Sequence, residues 1–289
     1  MDKNSTQNRS RIALVTGTSS GIGLVTAVRL AKAGFHVVAT LRDVAKAGPL
    51  QERARSEGVE VEVRALDVSQ PASIEAGVGA VLAEHGRIDV LVNNAGFGHL
   101  GTLEHTREED LRRVFEVNFF GVWHTTRAVV RQMREARSGR IITVSSLGGL
   151  LGQPFNDAYA AAKFAVEGWM ESLGPVLRRF GVQVSLIEPG PVRTEFVTRL
   201  GPSLAERMAD TADPYRPMME VYLKASQERI AAIGQSAEDV AGVIVEAATA
   251  ETPHFRYQTS EAVRGAVARK YVDPSGDSVL ALVGGRLDG

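Results

Sequence analysis

The stretch RIALVTGTSSGIG, Arg11–Gly23, decides the fold. Arg11–Thr16 is a short, partly β-branched apolar run closed by glycine, the pattern of a buried strand. From Gly21 to Ala33 the apolar residues Ile22, Val25, Leu30 and Ala33 recur at helical spacing, and Gly34 stops the run. Between strand and helix lies Thr16-Gly17-Thr18-Ser19-Ser20-Gly21-Ile22-Gly23. Glycines there let the backbone approach a pyrophosphate, and the helix that follows offers unpaired N–H groups at its positive dipole end. The spacing is G-x-x-x-G-x-G, so the G-x-G-x-x-G fingerprint of many dinucleotide sites is not matched literally, although the strand-to-helix position is. For the loop taken alone, a tight turn without ligand stays open as an alternative.

The same alternation runs on through the chain. Phe35–Leu41, Val59–Leu66, Ile88–Val92, Arg140–Ser145 and Val182–Glu188 read as strands. Val44–Glu57, Ser69 or Gln70 to His85, Glu108–Arg134 and Asn156–Phe180 read as helices. Repeated strand–helix units imply right-handed crossovers and a parallel sheet covered on both faces. The expected fold is therefore α/β: a doubly wound parallel sheet in one domain, with functional residues just beyond the strand ends. Residues 1–10 are polar and read as a disordered leader, and the catalytic domain is expected over 11–258. Leu200–Gly234 breaks the alternation with Met208, Tyr215, Met218, Met219 and Tyr222 among charges. A helical lid over about 196–234 is expected there, with an ordinary surface helix pair as the alternative. Ser236–Thr249 is a last helix, His254–Tyr257 a short strand, and 259–289 a C-terminal extension.

Composition narrows the chemistry. The 289 residues hold 33 Lys+Arg against 34 Asp+Glu, a formal charge of -1, which argues against nucleic acid as the main partner. Cysteine is absent, which removes disulfides, thiolate zinc sites, iron–sulfur clusters and a Cys nucleophile. Six histidines are scattered, and His36, His124 and His254 have no metal-ligand spacing, so no metal is expected. No apolar run reaches the roughly 18 residues of a membrane helix and no secretory h-region is visible, so the cytoplasm is the expected location. Glycine is in excess, 29 of 289 or about 10%, against roughly 7% usually.

Two strand-end features bear on the cofactor. The second strand ends Thr40-Leu41-Arg42, with no carboxylate at the place that usually holds a ribose 2′-OH. The fork of Arg42 suits a 2′-phosphate, which favours NADP(H). Asp43, one step on, leaves NAD(H) open. Asp67, ending the third strand, is placed to accept from the adenine amine, or to act as a helix-cap residue. For the reaction, Tyr159 and Lys163 stand at i and i+4 on a helix and point one way. Ser146 lies 13 residues before Tyr159, just past the fifth strand, and Asn118 lies on the long fourth helix. Reduction of a ketone leaves charge on an alkoxide that needs a proton donor. A free tyrosine, with a pKa near 10, is a poor base at neutral pH. A nearby ammonium and an oxidised nicotinamide would lower that value.

Taken in order, Thr16–Gly23, Asp67, Asn93-Asn94-Ala95-Gly96, Asn118, Ser146, Tyr159 with Lys163, and Pro189–Thr194 resemble the short-chain dehydrogenase/reductase family over about residues 11 to 257. The resemblance implies a Rossmann-like seven-stranded sheet and an Asn118–Ser146–Tyr159–Lys163 tetrad. By it, Tyr159 is the general acid/base and Ser146, with Ser145 as rival, orients the carbonyl. Lys163 binds the nicotinamide ribose and lowers the Tyr159 pKa, while Asn118 kinks its helix and holds a water of the proton relay. Cofactor contacts implied are Gly17, Ser19, Ser20, Gly21, Ile22, Gly23, Arg42, Asp67, Val68, Asn94, Ala95, Gly96, Tyr159, Lys163, Pro189, Gly190, Val192 and Thr194. A homodimer or homotetramer built on the two long helices is implied as well.

The wording Ala39–Asp43, Pro154–Tyr159, Lys163–Gly168 and Asp273–Gly276 resembles the branch that contains type 1 17β-hydroxysteroid dehydrogenase and retinol dehydrogenases, which prefers NADP(H). The steroid enzyme's substrate-end histidine has no counterpart near Ala225, nor its tail His/Glu pair at Gly284-Gly285-Arg286, which speaks against steroid recognition. Expected pocket residues are His99, Leu147, Leu151, Phe155, Phe196, Met218, Met219 and Tyr222, suiting a small apolar ketone or alcohol. The expected function is an NADP(H)-dependent carbonyl reductase or secondary-alcohol dehydrogenase. An NAD(H)-preferring enzyme of the same mechanism, or a non-catalytic NADP(H)-sensing regulator, stands as the alternative.

Overall fold

The computed structural model describes residues 10–194, 204, 208–273 and 275–285. Seven strands form one sheet: β1 Ile12–Thr16, β2 His36–Leu41, β3 Glu62–Ala65, β4 Val90–Asn93, β5 Gly139–Val144, β6 Val182–Glu188 and β7 Arg256–Gln258. Their order is β3-β2-β1-β4-β5-β6-β7, and every pairing is parallel. The helices are α1 Gly21–Lys32, α2 Gly48–Ser56, α3 Pro71–His85, α4 Glu108–Phe115, α5 Gly121–Ala136, α6 Asp157–Arg178, α7 Arg216–Ile233, α8 Ala237–Thr249, α9 Glu261–Val272 and α10 Asp277–Gly284. This is the Rossmann-like doubly wound sheet expected from the strand–helix alternation.

The strand period of two sorts the core into two layers. Ala13, Val15, Val37, Ala39, Val90, Val92 and Ile142 join the layer that includes Ala27, Leu30, Val240 and Ile244 of α1 and α8. Ile12, Leu14, Val38, Leu91 and Ile141 join the layer that includes Ile74, Val78, Val129, Met133, Val166 and Met170 of α3, α5 and α6. Central strands are apolar on both faces because both faces are covered. The edge strand β3 is only half-buried. Helix boundaries follow local chemistry. Pro71 opens α3 at a position with no N–H to lose, and Gly86, at φ +77°, closes it. Ser236 and Asp239 form a reciprocal capping box at the start of α8.

The order reverses between β1 and β4, so chains leave these neighbouring carboxyl ends toward opposite faces and open a crevice between them. Three elements differ from the sequence reading. The helix expected over Glu108–Arg134 is α4 and α5 joined by a π-helical turn, Glu116–Phe120. Its cause is Asn118, whose amide bonds backbone rather than side chains. The segment Val44–Glu57 is a 3₁₀ turn, Val44–Ala47, followed by α2. The extension after the seventh strand, read as a tail, carries α9 and α10. Among the described residues, no helix is long and apolar enough to cross a membrane.

Candidate active site

The crevice is a cleft of about 1080 Å³ at the carboxyl ends of the strands. Its cofactor half is built by a clamp between the first and fourth strands. Thr16 Oγ1 accepts the N–H groups of Asn94 (3.0 Å) and Ala95 (3.1 Å). Asn94 Nδ2 donates back to Thr16 O (2.9 Å) and Gly17 O (3.1 Å). The glycines are required at this distance. Gly17 has φ +72°, and a Cβ there would lie 2.7 Å from Ala95 Cα. A Cβ at Gly23 would collide with Asn94 Nδ2 and Gly17 O. The result is a side-chain-free cradle at the N-terminus of α1, with Thr194 across from Gly21, and it fits a pyrophosphate.

All the residues expected at the cofactor line this cleft, from Gly17 through Arg42, Asp67, Val68 and Asn94–Gly96 to Pro189, Gly190, Val192 and Thr194. Arg42 and Asp43 are separated by function. Arg42 is exposed on the cleft wall, whereas Asp43 caps the 3₁₀ turn by accepting from Ala45 N (3.1 Å) and does not line the cleft. Asp67 lines it while its Oδ1 takes the N–H (3.0 Å) and hydroxyl (2.7 Å) of Ser69, so it is also a turn residue.

Ser146, Tyr159 and Lys163 converge on the floor of the cleft. Ser146 caps the turn Leu147–Gly149 through Gly148 N (3.0 Å) and hydrogen-bonds Tyr159. The Ser145 hydroxyl is buried and turned toward Glu167. Lys163 Nζ donates to Val144 O (2.9 Å) and sits 5.9 Å from the Tyr159 ring centre. Asn118 is fully buried behind them. Its Nδ2 donates to Phe97 O (3.0 Å) and Val114 O (3.1 Å), and its Oδ1 accepts from Phe97 N (3.2 Å). A Cβ at Gly96 would lie 2.7 Å from Asn118 Oδ1 and 3.8 Å from Lys163 Nζ, so this glycine lets the two approach.

Burial pushes the Tyr159 phenol up to about 12, against the opposing hydrogen bond of Ser146. Burial also brings Lys163 down to about 8, with the nearby Glu167 carboxylate opposing. Behind Lys163, Arg256 bridges Glu167, Glu171 (2.6 Å) and the fully buried Glu188 (2.8 Å), and Gln258 bonds the other Glu188 oxygen. Two buried carboxylates share one guanidinium, and burial with Glu188's charge pushes Glu167 up to about 7.

Of the expected pocket residues, Leu147 lines the cleft. Leu151 is core. His99 is buried and meets Thr106 Oγ1 (3.1 Å). Phe155, Met219 and Tyr222 pack with Leu100 in a satellite core, Asn156 Nδ2 donates to Tyr222 Oη (2.9 Å), and Met218 faces solvent. Phe196 lies outside the described residues. The cleft instead takes Ser226, Arg229, Ile230 and Ile233, one to four turns further along α7, with Ala262, Val263 and Ala266 of α9 and Leu282 of α10. Positions 219 and 222 face the satellite core, so the stripe at 226, 229–230 and 233 meets the cleft. Val263 and Val267 seat α9 on Leu147 and Leu150, and Lys270 Nζ donates to Leu150 O (2.6 Å). The Ser260-Glu261 pair, a cap followed by an acidic first turn, was the available signal for α9.

Comparison with known proteins agrees with this architecture. A family model described as short chain dehydrogenase matches residues 11–204. Retinol dehydrogenase 8 of Bos taurus is 42% identical over 272 residues, 92% of this chain and 86% of its own length. 17-beta-hydroxysteroid dehydrogenase type 1 of Homo sapiens is 41% identical over 276 residues, 93% and 83%. A short chain dehydrogenase/reductase from Burkholderia phymatum, solved with NAD, superposes with TM-score 0.78 at 29% identity, covering 93% of this chain and 95% of its own. A metagenomic short-chain oxidoreductase, solved with NADP, gives TM-score 0.68 at 32% identity, covering 86% and 96%. The chain belongs to the short-chain dehydrogenase family. It is an NAD(P)-dependent oxidoreductase of the class acting on CH–OH or C=O groups, in the branch of its retinol and steroid dehydrogenase relatives.

The pKa of Glu167 makes a prediction about stability. The folded carboxyl holds its proton more tightly than the unfolded one, with an ordinary value of 4.5. Its contribution to stability is therefore complete below about 4.5 and is lost as pH rises toward about 7. Urea unfolding of the wild type and Glu167→Gln across about pH 4.5 to 8 should show the wild type losing ground to the variant up to about 7, then holding level. A difference independent of pH contradicts the assignment.

Proposed function

We propose that the cleft binds NADP(H) in preference to NAD(H) and interconverts a small apolar ketone and its secondary alcohol, with Tyr159 as general acid/base. The observation that carries this reading is the convergence of Ser146, Tyr159 and Lys163 at the base of the cleft that the glycine cradle opens. Bound in that cradle, a nicotinamide dinucleotide supplies a two-electron hydride donor or acceptor and, when oxidised, a positive charge.

In the reductive direction, Ser146 Oγ holds the substrate carbonyl oxygen. The phenolic proton of Tyr159 passes to that oxygen, and with a hydride that a bound reduced nicotinamide would supply to the carbonyl carbon, the C=O would become CH–OH. The phenol, pushed up to about 12 by burial, is protonated at neutral pH and ready to donate. Once the proton has left, the Lys163 ammonium would hold the phenolate, helped by the positive charge that an oxidised nicotinamide would supply. The same charges permit Tyr159 to act as base in the other direction. Asn118 keeps the helix turn open beside Lys163, and a water relay returns the proton from solvent.

The cofactor preference rests on the division of labour at the second strand. Arg42 faces the cleft with a five-donor fork, while the Asp43 carboxylate is occupied at the following turn. The substrate end, with Leu147, Ile230, Ile233, Val263 and Ala266, suits an apolar body. A homodimer or homotetramer in the cytoplasm belongs to the same reading.

Two substitutions test these roles. Tyr159→Phe should lower kcat by roughly 10²–10⁴-fold while NADPH still binds, since it removes the hydroxyl that donates the proton. Retained turnover removes the acid/base role. Arg42→Glu should raise the NADPH KM by roughly tenfold or more, the worth of a charge-assisted hydrogen bond, and the NADH KM far less. Equal effects on the two remove the NADP(H) argument.

A further inference from the structure

At the end of the sheet away from the cleft, three side chains from three elements meet. His36 begins β2, Glu62 begins β3 and His85 ends α3. His36 Nε2 lies 2.8 Å and His85 Nε2 3.0 Å from the same Glu62 oxygen, Oε2. The rings stand 4.7 Å apart at 47°, and the three ligand atoms all lie within 4.8 Å of one another. In sequence these residues are 26 and 23 positions apart, so no local spacing announced them. The pairing of Glu62 with Val38 on β2, and the return of α3 from the cleft end to the opposite end, bring them together.

We propose that His36, Glu62 and His85 form a binding site for a divalent transition ion, Zn²⁺ by the chemistry of its donors, that clips the edge of the sheet. The inference is independent of the proposed function. Two imidazoles and one carboxylate are a borderline-soft donor set suited to zinc; calcium and magnesium favour oxygen alone. Zn–N and Zn–O lengths of about 2.0–2.2 Å set tetrahedral donor separations of roughly 3.3–3.5 Å. The observed 2.8 and 3.0 Å between Oε2 and each nitrogen need to open by about half an ångström, and the two nitrogens, within 4.8 Å of each other, reach the same range by rotation of partly exposed side chains. Without metal, each neutral ring with its proton on Nε2 donates to Oε2; with it, that proton sits on Nδ1 and each Nε2 presents its lone pair to the cation.

The surroundings favour this exchange. Glu62 keeps its other oxygen, Oε1, on Arg64, and that outer contact fixes which oxygen faces the histidines. Arg64 also reaches Glu84, so two carboxylates face one guanidinium and the group carries one net negative charge before metal enters. The His36 side chain is 42% exposed, which leaves a path for the ion and a water as fourth ligand. The site lies about 20 Å from Arg42 along the six-residue strand β2, too far to serve the reaction. What it joins is β3, an edge strand of four residues paired only to β2, and the end of α3. A ligand that binds the folded state alone stabilises it by mass action.

The test is calorimetric titration of chelator-treated full-length protein with ZnCl₂, beside thermal unfolding with and without the ion. One equivalent of zinc should bind and raise the Tm, and His85→Gln should weaken binding at least tenfold. His36→Gln, at a more exposed position, gives the same readout should the helix-end variant fold poorly. Cobalt substitution should give the intense visible absorption of tetrahedral Co²⁺. No stoichiometric zinc, or zinc bound equally tightly by both histidine variants, overturns the site.

Discussion

The molecule depends on how closely the turn after β1 approaches the end of β4. Thr16 and Asn94 lock these two backbones by four hydrogen bonds, two onto the Thr16 hydroxyl and two from the Asn94 amide. The contact is possible only because Gly17 and Gly23 have no side chain. It fixes the floor of the crevice at the point where the strand order reverses, and it aims the N-terminus of α1 into that crevice. Everything expected of a dinucleotide site follows from this one close approach: a bare backbone cradle, a positive helix end, and strand-end residues arrayed on the rim.

A second constraint sits beneath the reacting groups. Lys163 and Glu167 occupy successive turns of α6, and Arg256 on β7 ties Glu167 to Glu188 on β6. The network joins the last two strands to the helix that carries Tyr159, so the edge of the sheet and the floor of the cleft are one electrostatic unit. Burial dominates its energetics, raising Tyr159 and Glu167 and lowering Lys163. A buried ion group of this kind is costly to break once formed, because removing one partner strands the others. The phenol of Tyr159 therefore holds its proton at neutral pH.

The fold and the residues on the rim of the cleft were legible in the sequence because each of their signals is local. A strand, its glycine turn and its helix are contiguous, and strand-end residues such as Asp67 and Asn94 follow directly from the strand limits. What escaped depends on docking. The spacing of Met218, Met219 and Tyr222 marks a helix, but only contact with Leu100 and Phe155 decides that this stripe packs inward and that Ile230 and Ile233 turn to the cleft. A break at Asn118 was implied by the resemblance; that it takes the form of a π turn, with its amide on the backbone of Phe97, shows only in the structure. The meeting of His36, Glu62 and His85 needs the register of β2 with β3, for which the sequence carries no separate mark.

The central claim is that this cleft joins a nicotinamide dinucleotide to an apolar carbonyl. The most direct measurement follows NADPH absorbance with the purified protein and a series of aryl ketones, retinal, estrone and short aliphatic ketones, repeated with NADH. The account predicts saturable oxidation of NADPH with at least one apolar carbonyl, at a lower KM for NADPH than for NADH. Absence of binding of either dinucleotide, or turnover confined to polar carbonyls, would contradict it.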